Sequence, residues 1–401
     1  MRDSRCLPLP LFLLLPPVLL SAFQADCFNI NLRCTPSSQP HGYPCVKASR
    51  ARGRNGLAPR MVAAEEKFFK LRKDFNVAAR VWGDTKMTDP SKLWIALHGW
   101  ADNAASFDRI APMLLSAGAS SIVCLDCAGH GLSDHRSFYH DIDHVADVLQ
   151  VAELLGWSNF SLMGHSLGGC VAQAIAAAAP ERVVQVVGFE SFGWYSQEGG
   201  RKQLDALKTM CSSKIGSRQW TPYESLEACA QRRAKQNMIG VMEPKDAMVL
   251  VSRGARALED GKGYVWTADP QIMVPRLRCS EALVLEILKS IRCPHLVLIA
   301  RDGLFQQAFF FGLQPFSRRW CTLVFLAYWV TRIFSVIRGA PKRINFTEKA
   351  SFSARIVSMY MLLCRYRQAK GLTVATMAGG AHYAHLTKPT EVVKVVKEWM
   401  Q

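Results

Sequence analysis

Acidic residues are scarce in this chain of 401 residues: 32 Asp and Glu stand against 49 Lys and Arg, for a formal charge of +17. The deficit is local. Residues 1–60 carry +6 and residues 306–350 another +6, which leaves +5 for the rest, ordinary for a soluble enzyme of this size. Nucleic acid is therefore not expected as a partner. An apolar run long enough to cross a bilayer is also missing, since residues 7–20 are interrupted by prolines and residues 320–330 fall well short of the ~20 required. Regular cysteine spacing is absent too. The 13 cysteines are scattered and odd in number, and Cys124, Cys170 and Cys293 sit in apolar runs where a thiol behaves as a small buried hydrophobe. Cys124 and Cys127 have C-x-x-C spacing, but no second pair with ligand spacing follows, so no zinc or redox centre is expected. The lack of a disulfide framework fits a reducing interior better than a stapled secreted domain.

What is present begins with a targeting signature. Arg2 and Arg5 precede the apolar stretch 7–20, and small residues follow at Ser21 and Ala22, so residues 1–22 read as a signal peptide. Residues 23–60 carry Arg33, Lys47, Arg50, Arg52, Arg54 and Arg60 against Asp26, among Ser, Thr, Pro and Gly, a composition that cannot form a packed core. The junction Ser21-Ala22-Phe23-Gln24-Ala25 resembles that of plastid proteins whose signal peptide is followed by a transit peptide beginning with Phe. A plastid is the expected location, with secretion or an endomembrane lumen as the alternative.

From residue 61 short apolar runs alternate with helical stretches, the pattern of an α/β fold with a mostly parallel central sheet flanked by helices. Residues 68–81 suit a first hairpin; 93–97, 122–125, 160–163, 183–189, 296–299 and 372–375 suit buried strands. Helices are expected over about 106–116, 140–155 and 391–400, the second from Val145, Val148, Leu149, Ala152 and Leu155 at helical spacing. Between Glu190 and about Arg292 the strand signal gives way to polar, helix-compatible sequence. The expected organisation is a core over 61–190 and 293–401, with a helical cap over 191–292 inserted after the sixth strand.

The run Gly164-His165-Ser166-Leu167-Gly168 stands between a strand-like and a helix-like stretch, the strand-turn-helix setting of a nucleophile elbow. A sharp turn there holds Ser166 at strained angles, so side chains at 164 and 168 would strike neighbouring backbone. Three further motifs accompany it in order: Leu97-His98-Gly99-Trp100-Ala101-Asp102-Asn103 onward to Asp108, Asp126-Cys127-Ala128-Gly129-His130-Gly131-Leu132-Ser133, and Gly380-Ala381-His382-Tyr383-Ala384-His385-Leu386. With them the chain resembles the α/β-hydrolase superfamily, and within it the serine hydrolase-like proteins.

The resemblance implies a catalytic triad in the order Ser166, Asp302, His382, with no cofactor and no metal. A serine hydroxyl is a weak nucleophile until an imidazole takes its proton, and the imidazole needs a carboxylate to fix its tautomer. His382, in a glycine-led loop after the last strand, is the expected base, ahead of His385. Asp302 is the expected acid, and Glu190, ending the preceding strand, is the alternative. The backbone N–H groups of Trp100 and Leu167 would form the oxyanion hole. Asp126, like His98, Gly99, Gly164, His165 and Gly168, has a structural part in its motif.

The function so implied is hydrolysis of a small-molecule carboxylic ester or related acyl substrate through an acyl-enzyme. The alternatives are cofactor-free haloperoxidase-like activity, or a ligand-binding receptor or scaffold on the same fold with little turnover. The pattern breaks between Asp302 and His382, which stand eighty positions apart. Residues 305–349 are surplus to it, rich in aromatics and nearly free of acids. Three readings stay open: a retained intron, an insertion contacting a membrane through 309–337, or a lid.

Overall fold

The computed structural model describes residues 63–196, 200–212, 219–235, 242–274, 276–300, 303, 365, 369 and 371–401. The targeting segments, Asp302 and the stretch 305–349 lie outside the described residues.

Eight strands form one sheet in the order β1-β2-β4-β3-β5-β6-β9-β10. The strands β1 (Glu65–Leu71) and β2 (Phe75–Gly83) make the expected hairpin, with Leu71 opposite Phe75. β2 also runs antiparallel to β4 (Ser121–Leu125), and the other pairings within this sheet are parallel. β3 (Leu93–Leu97), β4, β5 (Phe160–His165) and β9 (His295–Ala300) are buried along their whole length. They read as continuous apolar runs because both sheet faces are covered. Alternation within a strand then divides the core: Leu93, Ile95 and Leu97 enter one cluster, while Trp94 and Ala96 enter the other.

The first face is covered by α2 (Asp143–Leu154), α3 (Leu167–Ala178) and α7 (Glu281–Ser290), through Val148, Val151, Val171, Ile175, Val284 and Leu288. The second face receives α1 (Ala111–Ser116) and α9 (Pro389–Met400), through Leu114, Val392 and Val396. Where one helix was expected over about 106–116, a 3-10 turn at Ala104–Phe107 precedes α1. Pro112 explains the late start, because its ring and missing N–H are tolerated only in a helix's first turn.

Between β6 (Val183–Phe189) and β9 lie α4 (Gly200–Met210), α5 (Leu226–Lys235), α6 (Pro244–Gly254) and α7. The segment expected as a helical cap also holds two short strands. β7 (Ala255–Ala257) and β8 (Tyr264–Trp266) pair in a small antiparallel sheet, and three residues per strand are too few to show a period in sequence. α7 moreover packs on the main sheet. α5 and α6 build a small core of Cys229, Ala230, Ala247, Leu250 and Val251, closed by Tyr383 and Leu386 from beyond β10 (Leu372–Met377). Among the described residues no helix is long and apolar enough to cross a membrane.

Candidate active site

The described residues among those singled out from sequence gather at the carboxyl ends of the parallel strands, where open α/β sheets place their ligands. Ser166 links the last residue of β5 to the first of α3 at φ 50° and ψ −116°. Its N–H donates to the Phe189 carbonyl at 2.9 Å, and its carbonyl accepts from Cys170 N–H at 3.2 Å. The turn is tight enough to exclude side chains on either side. A Cβ on Gly164 would lie 2.3 Å from the Gly168 carbonyl carbon, and one on Gly168 would lie 2.1 Å from the Leu97 oxygen. Leu167 heads α3, so its N–H has no carbonyl below it within the helix.

His382 lies in the turn Ala381–Tyr383, ahead of the one-turn helix α8 (Ala384–Thr387). The turn is tied to the elbow. His165 Nε2, which must carry the hydrogen, donates to the His382 carbonyl at 2.8 Å, and the two rings stand 4.6 Å apart. His382 Nδ1 lies 3.5 Å from Glu190 Oε2. Burial pushes the His382 imidazole below its ordinary pKa and the His165 ring adds to this, while Glu190 opposes both. Glu190 itself is buried, with its N–H on the Leu298 carbonyl at 2.9 Å and Oε1 accepting from Ala300 N–H at 2.7 Å. Gly303 abuts this carboxylate so closely that a Cβ there would fall 2.3 Å from Oε2. Among the described residues, Glu190 is the carboxylate within 4 Å of His382. Asp302 lies outside them.

The loop after β3 brings Gly99 and Trp100 to the same end of the sheet. Two neutral histidines shape it. His98 Nε2 accepts from Cys127 N–H at 2.9 Å, which leaves its hydrogen on Nδ1, directed at the Gly99 carbonyl at 2.7 Å. His130 Nε2 accepts from Ala101 N–H at 3.2 Å, with Nδ1 toward the Ala128 carbonyl at 2.9 Å. Burial lowers the pKa of both, in keeping with these neutral tautomers. The Trp100 indole donates to the Ile272 carbonyl at 3.2 Å, so its side chain is tied to the segment between β6 and β9. Asp126 is wholly buried; it accepts from Ala104 N–H at 2.7 Å and Leu132 N–H at 2.8 Å, and binds Arg253 of α6 at 2.9 Å. That carboxylate joins three segments. His385 hydrogen-bonds Ser106 Oγ at 2.7 Å and stacks on Phe189, away from the Glu190 contact.

Five described non-glycine residues have positive φ: Asp74, Ala101, Ser166, Glu190 and Ala381. Asp74 occupies the β1–β2 turn, where Asp tolerates that region. The other four are the elbow serine, the carboxylate beside His382, and the immediate neighbours of Trp100 and His382. Backbone strain in folded proteins collects at functional sites, because only a site held on all sides retains it. Sequence reading missed Ala101 and Ala381, since alanine carries no sign of its φ. It also passed over Asp102, Arg233 and Tyr383, which form a buried ion-pair and hydrogen-bond cluster beside His165. Asp102 was visible within a motif; nothing in sequence marked Arg233. Among the described residues no His, Cys, Asp and Glu side chains gather into a metal-binding group.

Comparison with known proteins agrees with the fold. The pattern of the alpha/beta hydrolase fold family matches residues 95–199. A serine hydrolase-like protein of Danio rerio is 31% identical over 241 residues, 57% of this chain and 69% of the relative. A serine hydrolase-like protein of Dictyostelium discoideum is also 31% identical over 241 residues, 58% of this chain and 66% of the relative. The chain thus spans about two thirds of these relatives' length. The crystal structure of a hypothetical protein from Pseudomonas aeruginosa PAO1 superposes with a TM-score of 0.61 at 27% identity, covering 84% of this chain and 99% of that one.

Proposed function

The chain belongs to the α/β-hydrolase superfamily, alongside the serine hydrolase-like proteins, and from that premise we propose that it hydrolyses a carboxylic ester or related acyl substrate. Ser166 is the nucleophile, His382 the general base and acid, and Glu190 the carboxylate that holds the base. The observation carrying this reading is the positive-φ backbone at Ala101, Ser166, Glu190 and Ala381, which includes the elbow serine and the carboxylate beside His382 and adjoins Trp100 and His382.

The steps follow from the groups in place. His382 Nε2 takes the Ser166 hydroxyl proton as Oγ bonds to the acyl carbon, and the carbonyl electron pair moves onto oxygen. That oxyanion accepts hydrogen bonds from the Leu167 and Trp100 N–H groups, each worth roughly 3–4 kcal/mol in such settings. The protonated imidazole then gives its proton to the leaving alkoxide as the C–O bond breaks, which leaves acyl-Ser166. Water repeats the sequence, releasing the acid and restoring the serine. A base must begin neutral, and the burial that lowers the His382 pKa supports that state near pH 7. Glu190 would accept the Nδ1 hydrogen, keep Nε2 free for the serine proton, and stabilise the imidazolium.

A fluorophosphonate probe and a short-chain aryl ester test the proposal. The wild type should be labelled and turn over the ester, and Ser166→Ala should do neither. Labelling that survives the substitution overturns Ser166 as nucleophile, and labelling without turnover favours a binding scaffold.

A further inference from the structure

On the reading that Ser166 and His382 are catalytic, we propose that Arg233 of α5 is a positioning residue that aligns His382 through Asp102 and His165. Its guanidinium makes an ion pair with Asp102 Oδ1, and the same Nη2 donates to the Tyr383 hydroxyl at 2.9 Å. The cation also stands over the Tyr383 ring, 5.6 Å from its centroid. Asp102 Oδ2 lies 3.5 Å from His165 Nδ1, and His165 Nε2 donates to the His382 carbonyl. Arg233 therefore reaches the base turn directly through the Tyr383 hydroxyl, and its partner Asp102 sets a second oxygen, itself without a hydrogen-bond partner among the described residues, against the His165 ring that holds the His382 carbonyl.

Three features make this a built arrangement. The side chains of Asp102 and His165 are fully inaccessible and that of Arg233 is 14% exposed, so the Asp102–Arg233 ion pair is little screened by water. Burial opposes a charge on Asp102, yet Arg233 and His165 hold its carboxyl well below the usual carboxylate range. Gly99 supplies the space: a Cβ there would lie 2.7 Å from His165 Nδ1 and 2.9 Å from Asp102 Oδ2. The pair is thus seated against the very loop that carries Trp100 N–H.

Arg233 binds both Asp102 and Tyr383, the residue next to the base, so a shift of α5 moves the base turn at two points. Among the described residues Arg233 is the only Lys or Arg paired with Asp102. Without it a bare carboxylate remains near His382, and α5 no longer holds Tyr383. The groups around His382 are Glu190 after β6, His165 on β5, Asp102 in the β3 loop, Tyr383 in its own turn and His385 in α8. Of these, Asp102 is the one whose charge Arg233 neutralises directly.

The test uses aryl-ester turnover by the full chain. Arg233→Met should lower kcat about 10- to 100-fold with KM within about twofold, as expected of misalignment and not of lost substrate binding. The acid limb of kcat/KM should move upward by about half a pH unit or more, because the unneutralised Asp102 favours the His382 imidazolium. Arg233→Lys should recover part of kcat, since it returns the charge without the fork. In Asp102→Asn/Arg233→Met the acid limb should return toward the wild-type position. Wild-type kcat and pH profile in Arg233→Met overturn the proposal, as does a rise in KM alone. If Arg233→Met does not fold, Arg233→Lys decides: undiminished kcat with an unmoved acid limb overturns the proposal, and reduced kcat at constant KM supports it. Ser166→Ala serves as the control, for turnover that survives there refutes the catalytic reading itself and not the part assigned to Arg233.

Discussion

Lowering the pH should destabilise this fold, and His295 provides a measurable share of that loss. It begins β9, is fully buried, and its Nε2 accepts from the Gln173 side-chain amide at 3.1 Å. Its hydrogen is therefore on Nδ1. A second proton would set an N–H against an amide donor in a fully buried site, and burial accordingly lowers the pKa from 6.5 to about 4. In the unfolded chain the ring protonates near its ordinary value, so between pH 6.5 and 4 the unfolded state binds a proton that the folded state refuses. Stability from this group is thus fully present above pH 6.5 and is lost as pH falls toward 4. At about 1.4 kcal/mol per pH unit the loss between pH 7.5 and 4.5 is about 2.5 kcal/mol. Urea unfolding followed by tryptophan fluorescence at both pH values measures it. His295→Asn is less stable at pH 7.5 for packing reasons alone, so the quantity compared is the change from pH 7.5 to 4.5. That change should be smaller by about 2.5 kcal/mol in the variant. Equal changes in both proteins would refute the argument.

Other substitutions address the site. Glu190→Gln should lower kcat by about two to four orders of magnitude while Asp302→Asn changes it little, because Glu190 is the carboxylate found beside His382 Nδ1; the reverse ranking in aryl-ester assays assigns the acid to Asp302. Arg253→Met should destabilise the chain by about 3–5 kcal/mol, since it strands the wholly buried Asp126 without its cation. Denaturant unfolding reads this directly, and a loss under about 1 kcal/mol would mean the Asp126 site tolerates an unpaired charge.

Most of the architecture was legible in sequence because it depends on local signals. The runs 93–97, 122–125, 160–163 and 296–299 are continuous and apolar, as strands covered on both faces must be, and each is a strand of the central sheet. The hairpin of β1 and β2 carried the same kind of signal. β7 and β8 did not, for three residues show no period, and the tie between Ser106 and His385 spans 279 positions.

By itself the sequence determined the sheet, the α/β-hydrolase family and the elbow at Ser166, since strand burial and a glycine-flanked turn are properties of contiguous residues. Only the tertiary structure set Glu190 beside His382 and brought Arg233, Asp102 and His165 together in the interior. Those relations depend on distance through space between elements far apart in sequence, and on side chains whose charge is tolerated only because a distant partner meets it in the interior.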